Sequence, residues 1–149
     1  MKTELSVRAV HQGGMRVLAT DGQFDVLMDY PIQADESASG PTPLTMLLAS
    51  LAACSLNSVA VILKKMQQPF LGLKVEARGI RKIEHPTLLT DISLEFTVEG
   101  AVDPAAMAHA LKLSEERLCP VWNMLKASTA IKAEFRLQST NELAPAPTL

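Results

Sequence analysis

A chain of 149 residues, 48% hydrophobic but only 4% aromatic, is long enough for one domain with an aliphatic core. Its 14 basic and 16 acidic residues are mixed along the sequence and leave a formal net charge of −2. There is thus no basic stripe for nucleic acid and no polybasic cluster for an anionic membrane. The two cysteines, Cys54 and Cys119, stand 65 residues apart, which is neither a disulfide framework nor a CxxC pattern. His11, His85 and His109 lack ligand spacing, and no GxGxxG, Walker, HExxH or GxSxG motif appears. No metal or cofactor is expected. The opening MKTELSVRAV alternates and carries charges, unlike a signal peptide, so a cytoplasmic, reducing compartment is expected.

Residues 2–11 alternate polar and apolar, the pattern of a strand with one buried face. Gly13-Gly14 is a tight turn, Met15 to Ala19 a second strand, Asp21-Gly22 a second turn and Phe24 to Met28 a third strand. Tyr30 to Thr42 reads as a loop rich in Ser, Gly, Asp and Pro.

Pro43 to Met66 follows. Its twenty residues from Leu44 to Leu63 hold no charge, glycine or proline, which makes a helix of roughly 30 Å. Thr42 is placed to cap it, with Pro43 at the first helical position. Lys64 and Lys65 favour the C-terminal end of the dipole, and Gln68-Pro69 stops it. A run this apolar also passes as a membrane span. Its Thr, Ser and Asn residues and its lack of aromatics favour a core or an oligomer interface instead.

Leu71 to Ile83 and Leu89 to Glu99 alternate around a turn at Glu84-His85-Pro86-Thr87 and read as an antiparallel pair. Asp103-Pro104 opens a second helix over Ala105 to Leu118. Cys119-Pro120 interrupts it and starts a short third helix, Val121 to Lys126, with Cys119 at its cap. Ser128 to Gln138 is the last strand. The order βββ-α-ββ-α-α-β is α+β, with antiparallel sheet packed on helices. One domain is expected over residues 1–140, with a mobile tail over 141–149.

Three residues could carry chemistry. Cys54 is either a small buried hydrophobe or a reactive thiol; mid-helix, it needs a cation from elsewhere to lower its pKa. Cys119 is either an inert cap or a thiolate favoured by the helix dipole and free N–H groups. Arg16, among apolar neighbours, is either a solvated strand arginine or the cation that holds Cys54 as thiolate. Arg8, Arg78, Arg81, Arg117 and Arg136 compete for that role. His109 reads as a surface or packing histidine, and Asp35 and Glu36 as solvated loop residues.

PTPLTMLLASLAAC, followed much later by ERLCPVW, resembles the OsmC/Ohr family of thiol-dependent peroxidases, and the hairpin GGMRVLATDG is similar to the family's first hairpin. The similarity covers about residues 2–138. It implies an intertwined homodimer, with antiparallel sheets wrapped around two central helices and active sites at the subunit interface. It further implies Cys54 as the peroxidatic thiolate, Cys119 as the resolving thiol and Arg16 as the activating cation. Organic hydroperoxides would be the substrates and an external dithiol, such as a lipoyl group, the reductant. One position departs from the family. Well-studied members carry a glutamate ten positions before the first cysteine, where this chain has Leu44. That glutamate orients the arginine, so here Asp35 or Glu36 would have to substitute. The alternative reading is a weakly catalytic or non-catalytic relative that holds an apolar or thiol-bearing ligand at the interface.

Overall fold

The computed structural model describes residues 2–33 and 35–138. The tail expected over 141–149 lies outside them. Along the described residues the order is β1 (Arg8–His11), β2 (Val17–Thr20), β3 (Asp25–Met28), α1 (Pro43–Lys65), β4 (Phe70–Arg81), β5 (Leu89–Gly100), α2 (Pro104–Leu113), a π-helical turn (Ser114–Leu118), α3 (Pro120–Leu125) and β6 (Ala130–Gln138). The α+β order read from the sequence is the order found. The chain groups into two compact units, Met1–Leu47 and Leu48–Leu149.

The first unit is a three-stranded antiparallel meander, β1-β2-β3. Strand β1 is shorter than the alternation over residues 2–11 suggests. Its register with β2 runs from His11↔Val17 to Arg8↔Thr20, and there the partner strand turns away at Asp21-Gly22. Residues before Arg8 have no ladder to join. The Asp21 carboxylate closes the β2–β3 turn by accepting the backbone N–H groups of Phe24 and Gln23, at 2.8 and 2.9 Å. The same two bonds hold its pKa below the ordinary carboxylate value.

In the second unit, β4 and β5 pair antiparallel over most of their length, whereas β6 runs parallel to β5. The purely antiparallel pairing expected from the sequence fails at β6 for a topological reason. A chain that returns through helices after β5 re-enters the sheet in the same direction, as in a βαβ crossover. Ile92, Leu94, Phe96 and Val98 of β5 point to one face and join a single core with Leu51, Val59, Ile62 and Leu63 of α1, Met107, Ala110 and Leu111 of α2, and Trp122 of α3.

Helix α1 starts as its sequence dictates. Thr42 Oγ1 accepts the Thr45 N–H at 3.1 Å, and Pro43 is the first helical residue. It ends one residue before the expected Met66. Gln68 N–H bonds the Leu63 carbonyl and Gln67 N–H bonds the Lys64 carbonyl, the two bonds of a Schellman closure. The left-handed position falls on Gln67, at φ 55°. Only one side of the helix is buried, through Leu51, Ser55, Val59, Ile62 and Leu63; Leu47, Ala53, Asn57 and Val61 remain exposed.

Candidate thiol site

The π-helical turn decides where Cys119 sits. Helix α2 is capped by Asp103, whose side chain accepts the Ala105 N–H, and runs regularly to Leu113. There the ladder widens, and Cys119 N–H bonds the Ser114 carbonyl five residues back, at 3.0 Å. Pro120 cannot continue that ladder and becomes the first residue of α3. Cys119, extended at φ −86° and ψ 104°, is left as the cap, and its Sγ accepts the Trp122 N–H at 3.4 Å. Its carbonyl accepts twice from Asn123, from the backbone N–H at 3.1 Å and from the side-chain Nδ2 at 3.0 Å.

Cys54, in the middle of α1, is half-buried, whereas Cys119 is fully buried. The fold places the Cys54 side chain near enough to Cys119 to act on its ionisation. Both are free thiols. Burial pushes the Cys119 thiol up, the neighbouring Cys54 thiol pushes the same way, and it reaches about 11. The helix-cap expectation of a thiolate at Cys119 is thereby corrected. The backbone N–H groups of Trp122 and Val121 do act to lower the pKa, but burial next to a second sulfur outweighs them, coming as they do from a helix of a single turn and a half. At neutral pH Cys119 is therefore protonated.

Arg16 belongs to the first unit. It lines a cavity of about 350 Å³ together with Gly14, Asp29, Tyr30, Glu36 and Ser39. Of the two carboxylates considered as its partners, Glu36 lines this cavity and Asp35 does not. A third carboxylate was not singled out from the sequence. Asp29 is only 7% exposed, and its Oδ2 accepts the Ser39 N–H at 2.9 Å while its own N–H bonds the Pro41 carbonyl. An aspartate that closes a strand ahead of a Pro-containing loop reads as a turn former, which hid it. Leu44 lies half-buried in the first turn of α1, a turn without acidic residues.

Two competing arginines are committed elsewhere. Arg78 pairs with Glu76 and Glu95, and Arg136 with Glu95, on the face of the sheet opposite Ile92, Leu94 and Phe96. Arg117 is an exposed residue of the π-helical turn, and His109 is an exposed residue of α2. Ser114 and Asn123 also escaped the sequence reading. Asn123 left a signal, since it stands four residues after a capping cysteine. Ser114 left none, because SEERL is ordinary helix-forming sequence.

Residues 35–134 match the family described as OsmC-like protein. Protein YhfA of Escherichia coli strain K12 is 33% identical over 113 residues, which is 75% of this chain and 81% of that one. A hypothetical protein from Aquifex aeolicus VF5 superposes with a TM-score of 0.83 at 26% identity, over 94% of this chain and all of that one. An organic hydroperoxide resistance protein OsmC from Legionella pneumophila has the same fold, with a TM-score of 0.68 at 14% identity over 89% of this chain and 96% of that one. With a match over the central 100 residues that contain both cysteines and the fold to accompany it, the chain belongs to the OsmC-like family.

Proposed function

We propose that the protein is a thiol-dependent peroxidase that reduces organic hydroperoxides. The observation that carries this reading is the neighbouring pair of free thiols with unequal access, Cys54 half-exposed and Cys119 buried and protonated. The Cys54 sulfur attacks the outer peroxide oxygen, ROH leaves, and Cys54 becomes a sulfenic acid. Cys119 then attacks the sulfenic sulfur, the S–O bond breaks, water leaves, and a Cys54–Cys119 disulfide forms. An external dithiol, a lipoyl group in this reading, restores both thiols. Arg16 is the cation assigned to the developing charge, with Glu36 or Asp29 of its cavity as the carboxylate that Leu44 does not supply. The fold shared with a hydroperoxide resistance protein supports a redox role.

The working state in this reading is a cytoplasmic homodimer. Helix α1 is long and apolar enough to cross a membrane, yet only the side carrying Leu51, Ser55, Val59, Ile62 and Leu63 is buried within the chain. A second copy covering its exposed side accounts for that composition without a bilayer.

The test is an intact-mass and free-thiol assay of reduced protein after one equivalent of cumene hydroperoxide. Loss of both thiols with a mass decrease of two hydrogens is expected, and Cys54→Ser abolishes it. Peroxide consumption that survives Cys54→Ser sinks the mechanism. A second reading rests on Leu44, which makes the start of α1 apolar where an acid is absent. In it the protein holds an apolar or thiol-bearing ligand and turns over peroxide no faster than the double cysteine variant. Native mass spectrometry of freshly purified protein, which would carry that ligand, separates the two.

A further inference from the structure

Residue 119 is held on every side. Its N–H is fixed by the Ser114 carbonyl, its sulfur by the Trp122 backbone N–H, and its carbonyl by Asn123. The last of these is redundant for folding. The Asn123 backbone N–H already satisfies the Cys119 carbonyl as the first turn of α3 requires, and the side-chain Nδ2 adds a second donor to the same oxygen. A redundant donor on the peptide of a chemically active residue acts on orientation. The other thiol carries the same device: Ser58 Oγ donates to the Cys54 carbonyl four residues back, at 2.9 Å. Cys54, however, sits mid-helix, where the α1 ladder fixes its peptide in any case. Cys119 sits between a widened turn and a helix of six residues, so the plane of its peptide depends more on the extra bond.

We infer that Asn123 is the positioning residue for Cys119: its side-chain amide locks the Cys119 peptide so that the sulfur faces Cys54 in the geometry a disulfide needs. Resting on the peroxidase reading, this gives Asn123 a defined kinetic role. It leaves the attack of Cys54 on peroxide untouched and speeds the second step, in which Cys54–SOH and Cys119–SH give the disulfide and water. When that step is slow, the sulfenic acid meets a second hydroperoxide and is oxidised to sulfinic acid with release of a second ROH. Asn123 therefore protects the enzyme from its own substrate.

The test compares full-length wild type with Asn123→Asp, Asn123→Ala and Asn123→Ser. The aspartate variant has the same shape but lacks the donor. The serine variant restores a donor, because a helical serine bonds the carbonyl four residues back, as Ser58 does here. Under excess cumene hydroperoxide, Asn123→Asp and Asn123→Ala are expected to lose the Cys54 thiol at the wild-type rate. They form the disulfide about tenfold more slowly and accumulate sulfinic acid by intact mass, whereas Asn123→Ser stays near wild type. Trp122, the sole tryptophan, whose backbone N–H bonds the Cys119 sulfur, gives a continuous fluorescence readout of the second step. Disulfide formation driven by diamide, which needs no peroxide chemistry, should rank the four proteins in the same order. A wild type inert to peroxide would overturn the peroxidase reading while the diamide series still tests Asn123. Equal diamide rates in all four proteins, or a first step slowed as much as the second, would overturn the role of Asn123.

Discussion

The two compact units differ in what each can bury by itself. Leu48–Leu149 has a core of aliphatic side chains around Phe96 and Trp122, with both sides of the helix–sheet contact supplied by its own sequence. In Met1–Leu47, Asp29 is the one buried residue among those described. Val17, Leu18, Val26 and Leu27 are half-covered, and Phe24 is 72% exposed. Three strands of four residues with no buried apolar face do not make an independently stable sheet. The second unit encloses a core of its own, whereas the first has none and needs a surface beyond its own residues, and in the proposed homodimer a second copy supplies part of it.

Core truncation breaks the comparison hardest. Phe96→Ala removes a fully buried ring from the second unit and should cost about 3–5 kcal/mol. Phe24→Ala in the first unit should stay within about 0.5 kcal/mol in the isolated chain. Urea melts of the two variants check both values, and equal losses would mean that Phe24 is covered in the assembled protein. Leu18→Glu probes the covering surface itself. A charge on a face that must be covered should cost on the order of 2 kcal/mol of association and make the melting temperature depend on protein concentration over the micromolar range. A melt independent of concentration, at the wild-type temperature, would remove the second copy from that face.

The thiol pair sets the next effect. The Cys119 pKa rises from the ordinary 9.0 to about 11 in the folded chain. Below pH about 9 both folded and unfolded chains keep the proton, and the stabilisation is fully present. As pH rises from about 9 to about 11 the unfolded chain ionises first, so stability falls, by about 3 kcal/mol at most. Cys119→Ala should flatten this alkaline limb of the urea stability profile. A limb unchanged in that variant would trace the alkaline loss to another group.

The same contrast governs what the sequence made legible. Elements that carry their own punctuation were readable. Thr42-Pro43 and Asp103-Pro104 name their helices, and the alternation of Leu89 to Glu99 names its strand, because each signal acts within a few residues. Three features depend on partners distant in sequence. The parallel pairing of β6 follows from the path of the crossover. The loss of strand over residues 2–7 follows from the turn at Asp21-Gly22 in the neighbouring strand. The proximity of Cys54 to Cys119 spans 65 positions, and nothing in the spacing encodes it. Motif resemblance paired the two cysteines before the geometry did. It did not reveal that burial would leave Cys119 protonated, nor that a π-helical turn would place it.

The smallest effect tests a place where the unit with its own core is itself imperfect. The Schellman closure of α1 puts Gln67 at φ 55°, a conformation in which a β-carbon crowds the following carbonyl and which glycine adopts freely. The two closing bonds come from the backbone N–H groups of Gln67 and Gln68, so a glycine at position 67 keeps both. Gln67→Gly relieves the crowding in the folded state but also frees the unfolded chain, and the two effects oppose each other. The net gain should be below about 1 kcal/mol, seen as a small rise in the urea midpoint with an unchanged slope. Gln67→Val, β-branched and poorly tolerated at positive φ, should move the midpoint the other way. If both variants melted alike, the end of α1 would owe its position to Pro69 and to the bond from Asp103 N–H to Gln68 Oε1 rather than to the left-handed residue.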